Sequence, residues 1–157
     1  MQVVTVSTSR FGKMKDGRKF TDESGDVAVR EVESAGHEMS RRTVISDDAI
    51  MIRKEVKTFI SGRDDILIMT GGTGVSGRDV TIETVRPFFQ KELDGFGELL
   101  RRLSYDEIGS AAILTRATMG ISKGKLIICL PGSPGAVQTA MKAALGELPH
   151  AVYIARS

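Results

Sequence analysis

The amino-acid sequence predicts an α/β domain built around a mainly parallel sheet. Short apolar runs alternate with segments of helical period along the chain, which is typical of strands joined by helical crossovers. One compact apolar run, residues 65–70, ends directly in the glycine-rich residues 71–74, the pattern of a central strand entering a phosphate-type loop. The 157 residues have the size of one domain, and 41% of them are hydrophobic. No internal repeat, linker or low-complexity segment interrupts the sequence, so a single domain over residues 1–157 is expected.

The strands and helices follow from hydrophobic spacing and from their end signals. Strands are predicted at residues 2–7, 38–45, 65–70, 118–121, 125–130 and 150–154. Helices are predicted at residues 22–35, 47–61 and 96–104, after residues 131–135, and from residue 79 with an interruption at Pro87. Within residues 47–61, Ile52, Val56, Phe59 and Ile60 recur at helical spacing. The basic residues 10–19 are expected to form a loop.

Charge, aromatic content and cysteine content exclude several classes of protein. The net charge is +2, and the chain has no tryptophan and two tyrosines, which argues against a nucleic-acid partner. No apolar run approaches the ~20 residues of a membrane span, and no export signal is present. The single cysteine, Cys129, lies in an apolar run and leaves no intrachain disulfide. We therefore expect a cytoplasmic protein that binds anionic small molecules, neither nucleic acid nor membrane.

Three loops that follow predicted strands are candidates for the binding site. They comprise residues 7–10, 71–79 and 131–135. In an open parallel sheet, the loops at the carboxyl ends of the strands gather at one edge, where ligands usually bind. The three loops are therefore expected to face one ligand.

The central loop, residues 71–79, has the composition of a phosphate-binding loop. Its glycines let backbone N–H groups approach an anion, and Thr70, Thr73 and Ser76 add hydroxyl groups. Residues 72–77 also match a dinucleotide GxGxxG fingerprint, but they follow the third strand and their last glycine precedes the helix start. A Walker motif is absent because Arg78 and Asp79 stand where a lysine and a hydroxyl residue are required. The loop therefore predicts phosphate binding without a P-loop lysine.

Asp47 and Asp79 are the acids with two competing interpretations. Each is predicted to lie at a helix N-terminus just after a strand, so each is a candidate N-cap that accepts a backbone N–H. Two carboxylates at one sheet edge are also suited to hold Mg²⁺ against a triphosphate, because Mg²⁺ prefers oxygen ligands. Their pairing at one edge favours the functional interpretation.

Other polar side chains provide weaker candidates. Arg78, Arg116 and Lys123 can each balance phosphate charge, with Arg116 the preferred one, although single loop cations are more often solvated. His37 and His150 have no cysteine or second histidine nearby to form a zinc site. No GxSxG elbow is present, which argues against a Ser-His-Asp hydrolase.

The motifs together resemble the molybdenum-cofactor-biosynthesis family, the MoaB/MogA proteins. The signature loop is Thr70-Gly71-Gly72-Thr73-Gly74 followed by Arg78-Asp79-Val80-Thr81. The other matching motifs, in family order, are Asp22-x-Ser24-Gly25, Gly36-His37, Val44-Ile45-x-Asp47-Asp48, Gly95-Phe96-Gly97-Glu98, Leu103-Ser104, Thr115-Arg116-Ala117 and Leu130-Pro131-Gly132-Ser133-Pro134. The resemblance spans nearly all 157 residues.

The resemblance implies a three-layer α/β/α sandwich, usually a homotrimer, that catalyses adenylyl transfer. The terminal phosphate of molybdopterin would attack the α-phosphorus of Mg-ATP and release pyrophosphate, before molybdate insertion. Asp47 and Asp79 would be the catalytic acids that place Mg²⁺ and the nucleotide phosphates, and residues 71–74 would cradle the pterin phosphate. The implied binding residues are Thr70, Gly71, Gly72, Thr73, Gly74, Ser104, Arg116, Pro131, Gly132 and Ser133.

The resemblance leaves alternatives open. Thr115 stands where a serine is common and Ser46 where a proline often precedes the acid, but neither change removes a charge. A non-catalytic molybdopterin binder, a molybdate-insertion domain and a scaffold are the rival functions; the presence of both acids favours the enzyme. The resemblance does not decide whether the oligomer is a trimer or a hexamer, nor whether the pathway uses molybdenum or tungsten. A further hypothesis is that the cations of residues 10–19 help to gather the triphosphate.

Overall fold

The computed structural model describes residues 1–157 and contains one six-stranded sheet between two layers of helices. The strands are β1 Gln2–Val6, β2 Arg41–Ile45, β3 Ile66–Thr70, β4 Lys91–Glu92, β5 Thr118–Ser122 and β6 Lys125–Leu130. The helices are α1 Thr8–Lys15, α2 Glu23–Ser34, α3 Ala49–Ser61, α4 Thr81–Val85, α5 Asp94–Ile108, α6 Pro134–Ala144 and α7 Leu148–Arg156. The predicted α/β/α sandwich with a mainly parallel sheet is confirmed.

The strand order creates the crevice in which a ligand is expected. The order is β2-β1-β3-β6-β5-β4, and β2, β1, β3 and β6 are parallel. β5 and β4 run antiparallel to their neighbours, and β5 and β6 form a hairpin. The chain moves from β1 to β2 on one side and then returns to place β3 on the other side of β1. Open α/β sheets bind ligands beyond the carboxyl ends of strands at such a switch point.

Each face of the sheet carries its own hydrophobic core, because successive strand residues point to opposite faces. In β3, Ile66 and Ile68 pack with α2, α5, α6 and α7, whereas Leu67 and Met69 pack with α3 and α4. All four side chains are buried. β3 is apolar at its first four positions, as expected for a central parallel strand in a sheet covered on both faces.

Two sequence predictions are wrong. Residues 10–19 were expected as a loop, but α1 begins at Thr8 because the Ser7 side chain accepts a hydrogen bond from the Arg10 N–H and caps the helix. α1 buries none of its residues, so it lacks the apolar face by which a helix is recognised. Residues 150–154 were expected as a strand, but they belong to α7, in which Leu148 and Val152, four residues apart, are both buried.

Several element boundaries also differ from the prediction. The second strand begins at Arg41 rather than at residue 38, and α5 extends to Ile108 rather than ending at residue 104. The short strand β4 and a 3-10 segment at Gly109–Leu114 were not predicted. None of the helices has both the length and the apolar character that crossing a membrane requires.

Candidate functional site

The loops after β1, β2 and β3 enclose one polar cavity, here called the acid cavity. The parallel strands end nearly level, with Val6 opposite Ile45 and Thr5 opposite Thr70. The cavity has a volume of about 690 Å³ and is lined by Val6, Ser7, Thr8, Ser9, Asp47, Asp48, Ala49, Gly72, Ser76, Arg78, Asp79 and Val80. Asp47 and Asp79 therefore lie at one site, as the sequence predicted.

Asp47 is not a helix cap. The carboxylate of the next residue, Asp48, accepts hydrogen bonds from the N–H groups of Ile50 and Met51, both at 3.0 Å, and so caps α3. Asp47 instead accepts a hydrogen bond from the Val80 N–H at 3.4 Å, and its own N–H donates to Thr8 Oγ1 at 3.2 Å. The Asp47 carboxylate thus belongs to the cavity wall rather than to the helix.

The environment of Asp47 disfavours its charged form. Burial raises the pKa of the Asp47 carboxyl, and the negative charges of Asp79 and Glu83 raise it further, although the hydrogen bond from Val80 opposes them. No cationic side chain is among the groups that shift the pKa of Asp47. A carboxylate held in this way gains stability when a cation binds beside it.

Asp79 also does not cap a helix. Its Oδ2 accepts a hydrogen bond from the Ser76 N–H at 3.2 Å, and its own N–H donates to the Ser76 carbonyl at 2.9 Å. Helix α4 begins after Val80, and no side chain caps it. Asp79 therefore closes a tight turn at the tip of the loop while lining the acid cavity.

The two acids pack against two glycines of the central loop, residues 71–79. A Cβ added to Gly72 would lie 2.7 Å from Asp47 Oδ2, and one added to Gly74 would lie 2.7 Å from Asp79 Oδ2. Gly72 also has a φ of +64°, in the left-handed region that glycine adopts without strain. Glycine at these two positions lets the carboxylates approach the loop backbone directly.

Thr81 fixes the loop to α4. Its hydroxyl donates to the Gly71 carbonyl at 2.9 Å, its N–H donates to the Gly72 carbonyl at 2.9 Å, and its side chain is fully buried. The sequence placed Thr81 in the signature motif but indicated no role for it. Its position two residues after Asp79, at the first turn of a helix, is the signal that could have identified it.

Thr70 joins the central loop, residues 71–79 and called the glycine loop from here on, to the neighbouring loop at residues 131–135. The Thr70 hydroxyl donates to the Pro131 carbonyl at 2.9 Å, and the Gly71 N–H donates to the Leu130 carbonyl at 3.0 Å. A Cβ on Gly132 would lie 3.3 Å from the Gly71 Cα. The loop after β6 is therefore packed against the glycine loop, although it does not line the acid cavity.

Nearly the whole chain, including the loops that form this site, is similar to known proteins. The family described as "Probable molybdopterin binding domain" matches residues 2–150. The chain belongs to this family. It is 41% identical over 149 residues to the "Probable molybdopterin adenylyltransferase" of Methanocaldococcus jannaschii, covering 94% of this chain and 88% of the relative. It is also 41% identical over 154 residues to molybdenum cofactor biosynthesis protein B of Bacillus subtilis, covering 96% and 86% of the two chains.

Solved structures of the family have the same fold. The tungsten cofactor synthesizing protein MoaB from Pyrococcus furiosus superposes with a TM-score of 0.87 at 37% identity, covering 99% of this chain and 96% of that one. The resemblance inferred from the motifs is thereby confirmed. The chain is a member of the family that serves molybdenum cofactor biosynthesis.

The remaining residues that the family resemblance implies lie outside the acid cavity. Thr73 is buried within the glycine loop, and Ser133 caps α6 by accepting a hydrogen bond from the Ala136 N–H. Ser104 is buried on α5, whose apolar side chains belong to the core on the face opposite α3. Of the implied binding residues, only Gly72 lines the acid cavity, so the structure does not bring the whole predicted site together in this cavity.

Arg116 has partners within the protein. Its guanidinium donates to the Gly74 carbonyl at 2.8 Å and forms an ion pair with Glu83. Burial by itself raises the pKa of Glu83, but the hydrogen bond from Arg116, a backbone hydrogen bond and the charges of Arg116 and Arg86 together lower it below the ordinary value. Lys123 lies in the β5–β6 hairpin turn, away from the cavity. In this family member Arg116 therefore holds the glycine loop to α4.

The cations of residues 10–19 do not line the acid cavity. The Arg10 guanidinium donates to the Thr21 carbonyl at 2.9 Å, whereas Lys13, Arg18 and Lys19 line a separate hollow of about 640 Å³. Arg18 also pairs with Asp16. An effect of these cations on nucleotide binding would therefore be a long-range charge effect rather than a direct contact.

A larger cavity of about 1070 Å³ lies at the amino-terminal edge of the sheet. Two ion pairs lie in its lining, one between the Met1 ammonium group and Asp64 at 3.6 Å and one between Arg156 and Asp65. Both the glycine loop and the two predicted acids lie at the opposite edge. Size alone therefore does not make this cavity the functional site.

Proposed function

We propose that the protein transfers the adenylyl group of Mg-ATP to the terminal phosphate of molybdopterin. The observation that carries the proposal is the position of Asp47, which neither caps a helix nor pairs with a cation and lines a cavity with Asp79 and the glycine loop. The relative from Methanocaldococcus jannaschii that bears the adenylyltransferase name supports the same reaction. ATP and molybdopterin are both substrates of this reaction.

The donor set suits Mg²⁺ carried by a triphosphate. Mg²⁺ keeps several waters and is typically held by one or two carboxylates together with substrate phosphates. The acid cavity offers the Asp47 and Asp79 carboxylates and the hydroxyls of Ser7, Thr8 and Ser9. No group of three histidine, cysteine, aspartate or glutamate side chains is arranged to hold a metal by itself. The carboxylates and hydroxyls of the acid cavity therefore fit a metal ion that binds together with the nucleotide.

The reaction requires positioning and charge neutralisation rather than a covalent enzyme intermediate. An oxygen of the molybdopterin phosphate forms a bond to the α-phosphorus, the bond to the bridging oxygen breaks, and pyrophosphate leaves with the electron pair. Bound Mg²⁺ would neutralise part of the phosphate charge. The N-terminal N–H groups of α1, which Ser7 caps, and the loop glycines supply further donors for phosphate oxygens. Phosphoryl transfer depends mainly on such positioning.

The direct test is formation of adenylylated molybdopterin and pyrophosphate by the purified protein with Mg-ATP and molybdopterin. Asp47→Ala and Asp79→Ala are expected to abolish product while leaving a folded protein. Glu33→Ala, at an exposed position on α2, is the control acid and is expected to behave as wild type. Thermal unfolding of each variant separates loss of chemistry from loss of fold.

The outcome distinguishes the enzyme from a non-catalytic binder. If wild type binds molybdopterin but makes no product, the chain is a binder. If both aspartate variants make product at the wild-type rate, the assignment of the two acids is wrong.

We also propose that the protein is a cytoplasmic homotrimer. Five large apolar side chains on α5 and the 3-10 segment after it are exposed, and they form a candidate subunit interface: Leu99, Tyr105, Ile108, Ile113 and Leu114. Light scattering after size exclusion is expected to give three times the chain mass. Ile113→Lys is expected to reduce that mass, whereas Ile154→Lys, at an exposed position on α7, is the control. A wild-type monomer, or a hexamer, would contradict the trimer.

A further inference from the structure

We infer that Arg78 is a catalytic residue that binds the β- and γ-phosphates of the nucleotide, the part that leaves as pyrophosphate. The inference rests on the proposed adenylyl transfer and assigns one side chain to the leaving group. Three observations carry it: the charge of the acid cavity, the lack of any partner for Arg78, and the internal partners of Arg116.

The acid cavity has too little positive charge for its proposed substrate. Its lining contains the carboxylates of Asp47, Asp48 and Asp79 and a single cationic side chain, that of Arg78. A magnesium-bound triphosphate keeps a negative charge, so a site with three carboxylates needs a cation beside the phosphates. Arg78 is the one side chain of the lining that supplies it.

The guanidinium group of Arg78 has no partner within the protein. Its backbone N–H donates to Ser76 Oγ at 3.3 Å, but its guanidinium forms no hydrogen bond or ion pair, and the residue is exposed. The arginines with acidic partners are Arg10, Arg18, Arg30, Arg41, Arg42, Arg86, Arg116 and Arg156. A guanidinium at a polar cavity with all five donors free is suited to a phosphate, which it can bind through two parallel hydrogen bonds.

The sequence favoured Arg116 for balancing phosphate charge, and the structure argues for Arg78 at the nucleotide phosphates. Arg116 already bonds to the Gly74 carbonyl and to Glu83, and it does not line the acid cavity. Withdrawing Arg116 to bind a phosphate would break both interactions. Arg78 needs to break none, so its full charge is available to the ligand.

The role of Arg78 follows from the negative charge that develops on the leaving pyrophosphate during the reaction. When the molybdopterin phosphate oxygen bonds to the α-phosphorus, the bridging oxygen to the β-phosphorus takes the electron pair and becomes part of pyrophosphate. A guanidinium at the β- and γ-phosphates stabilises that charge. Arg78 is next to Asp79 in the chain, so the cation and the proposed metal-binding acid act on neighbouring parts of the nucleotide.

The test compares binding of the leaving group, pyrophosphate, with binding of the rest of the nucleotide, AMP. Binding of Mg-pyrophosphate, Mg-ATP and AMP is measured by calorimetry for wild type, Arg78→Ala and Arg78→Lys, and adenylylation is followed in parallel. Arg78→Ala is expected to weaken Mg-pyrophosphate and Mg-ATP binding at least tenfold, to change AMP binding less than twofold, and to lower kcat. Arg78→Lys is expected to recover part of the loss, because lysine restores charge but not the two-point geometry.

Arg53→Ala is the matched control, because Arg53 is exposed on α3, has no acidic partner and does not line the cavity. It is expected to match wild type with every ligand. If wild type forms product but Arg78→Ala binds Mg-pyrophosphate normally, or loses AMP binding equally, the role of Arg78 is wrong while adenylyl transfer stands. If wild type binds no Mg-ATP and forms no product, the proposed function itself fails.

Discussion

Replacing Gly72 with alanine should damage both the fold and the acid cavity. Gly72 has a φ of +64°, where an alanine costs about 1–2 kcal/mol. The added Cβ would lie 2.7 Å from Asp47 Oδ2 and closer still to Thr81 Oγ1, and such overpacking costs a further ~1–3 kcal/mol. The free energy of unfolding should therefore fall by about 2–5 kcal/mol. At this chain length that corresponds to a Tm lower by roughly 4–20 °C.

Thermal unfolding and Mg-ATP binding measured on the same samples test this reasoning. Because relief of the clash moves Asp47 away from the cavity, Gly72→Ala should weaken Mg-ATP binding as well as lower the Tm. Gly77→Ala is the matched control in the same loop, since a Cβ at Gly77 would meet no heavy atom within 4 Å and the φ of Gly77 is not positive. A Gly72→Ala protein with the Tm and Mg-ATP affinity of wild type would refute the argument.

Three further substitutions and one labelling experiment have defined outcomes. Because burial raises the pKa of Asp47, Asp47→Asn should raise the free energy of unfolding at pH 7, and urea titrations should show this gain shrinking as the pH falls and the wild-type carboxyl becomes protonated. Arg116→Ala should lower the free energy of unfolding by about 1 kcal/mol and reduce adenylylation; an unchanged rate would show that the Gly74 contact is dispensable. Burial alone raises the pKa of Asp22, but bonds from Arg42 and Thr5 lower it overall, so Asp22→Asn should destabilise the fold above the ordinary aspartate pKa, and the deficit in urea should diminish at acid pH. Burial raises the pKa of the Cys129 thiol, so a thiol reagent should label it only after unfolding; rapid labelling of the native protein would contradict its burial.

Features that depend on local spacing were predictable from the sequence. The glycines after β3 and the hydrophobic spacing of α3 identify a strand, its loop and its helix within a short stretch of chain. Parallel strands that end at one edge then bring Asp47 and Asp79 to the same cavity. These steps need only periodicity and topology.

Features that depend on distant partners were not predictable. Two adjacent acids, Asp47 and Asp48, fit the capping pattern equally, and the choice is made by contacts with Thr8 and Val80, 39 and 33 residues away. Arg116 is likewise fixed by a partner, Glu83, 33 residues away. A single sequence does not indicate which residues make contact at such separations. It could therefore neither assign the cap to Asp48 nor show that Arg116 already has partners.

The level ends of the parallel strands have a consequence for the exchange of backbone amide hydrogens with solvent. The Ser7 N–H donates to the Ile45 carbonyl and the Gly71 N–H to the Leu130 carbonyl, so the ladder continues one residue into the loops. A ligand that touches residues after β1, β2 and β3 joins three segments that are distant in sequence. Its binding should slow amide deuterium exchange at all three strand ends together, although each segment contributes only a few contacts.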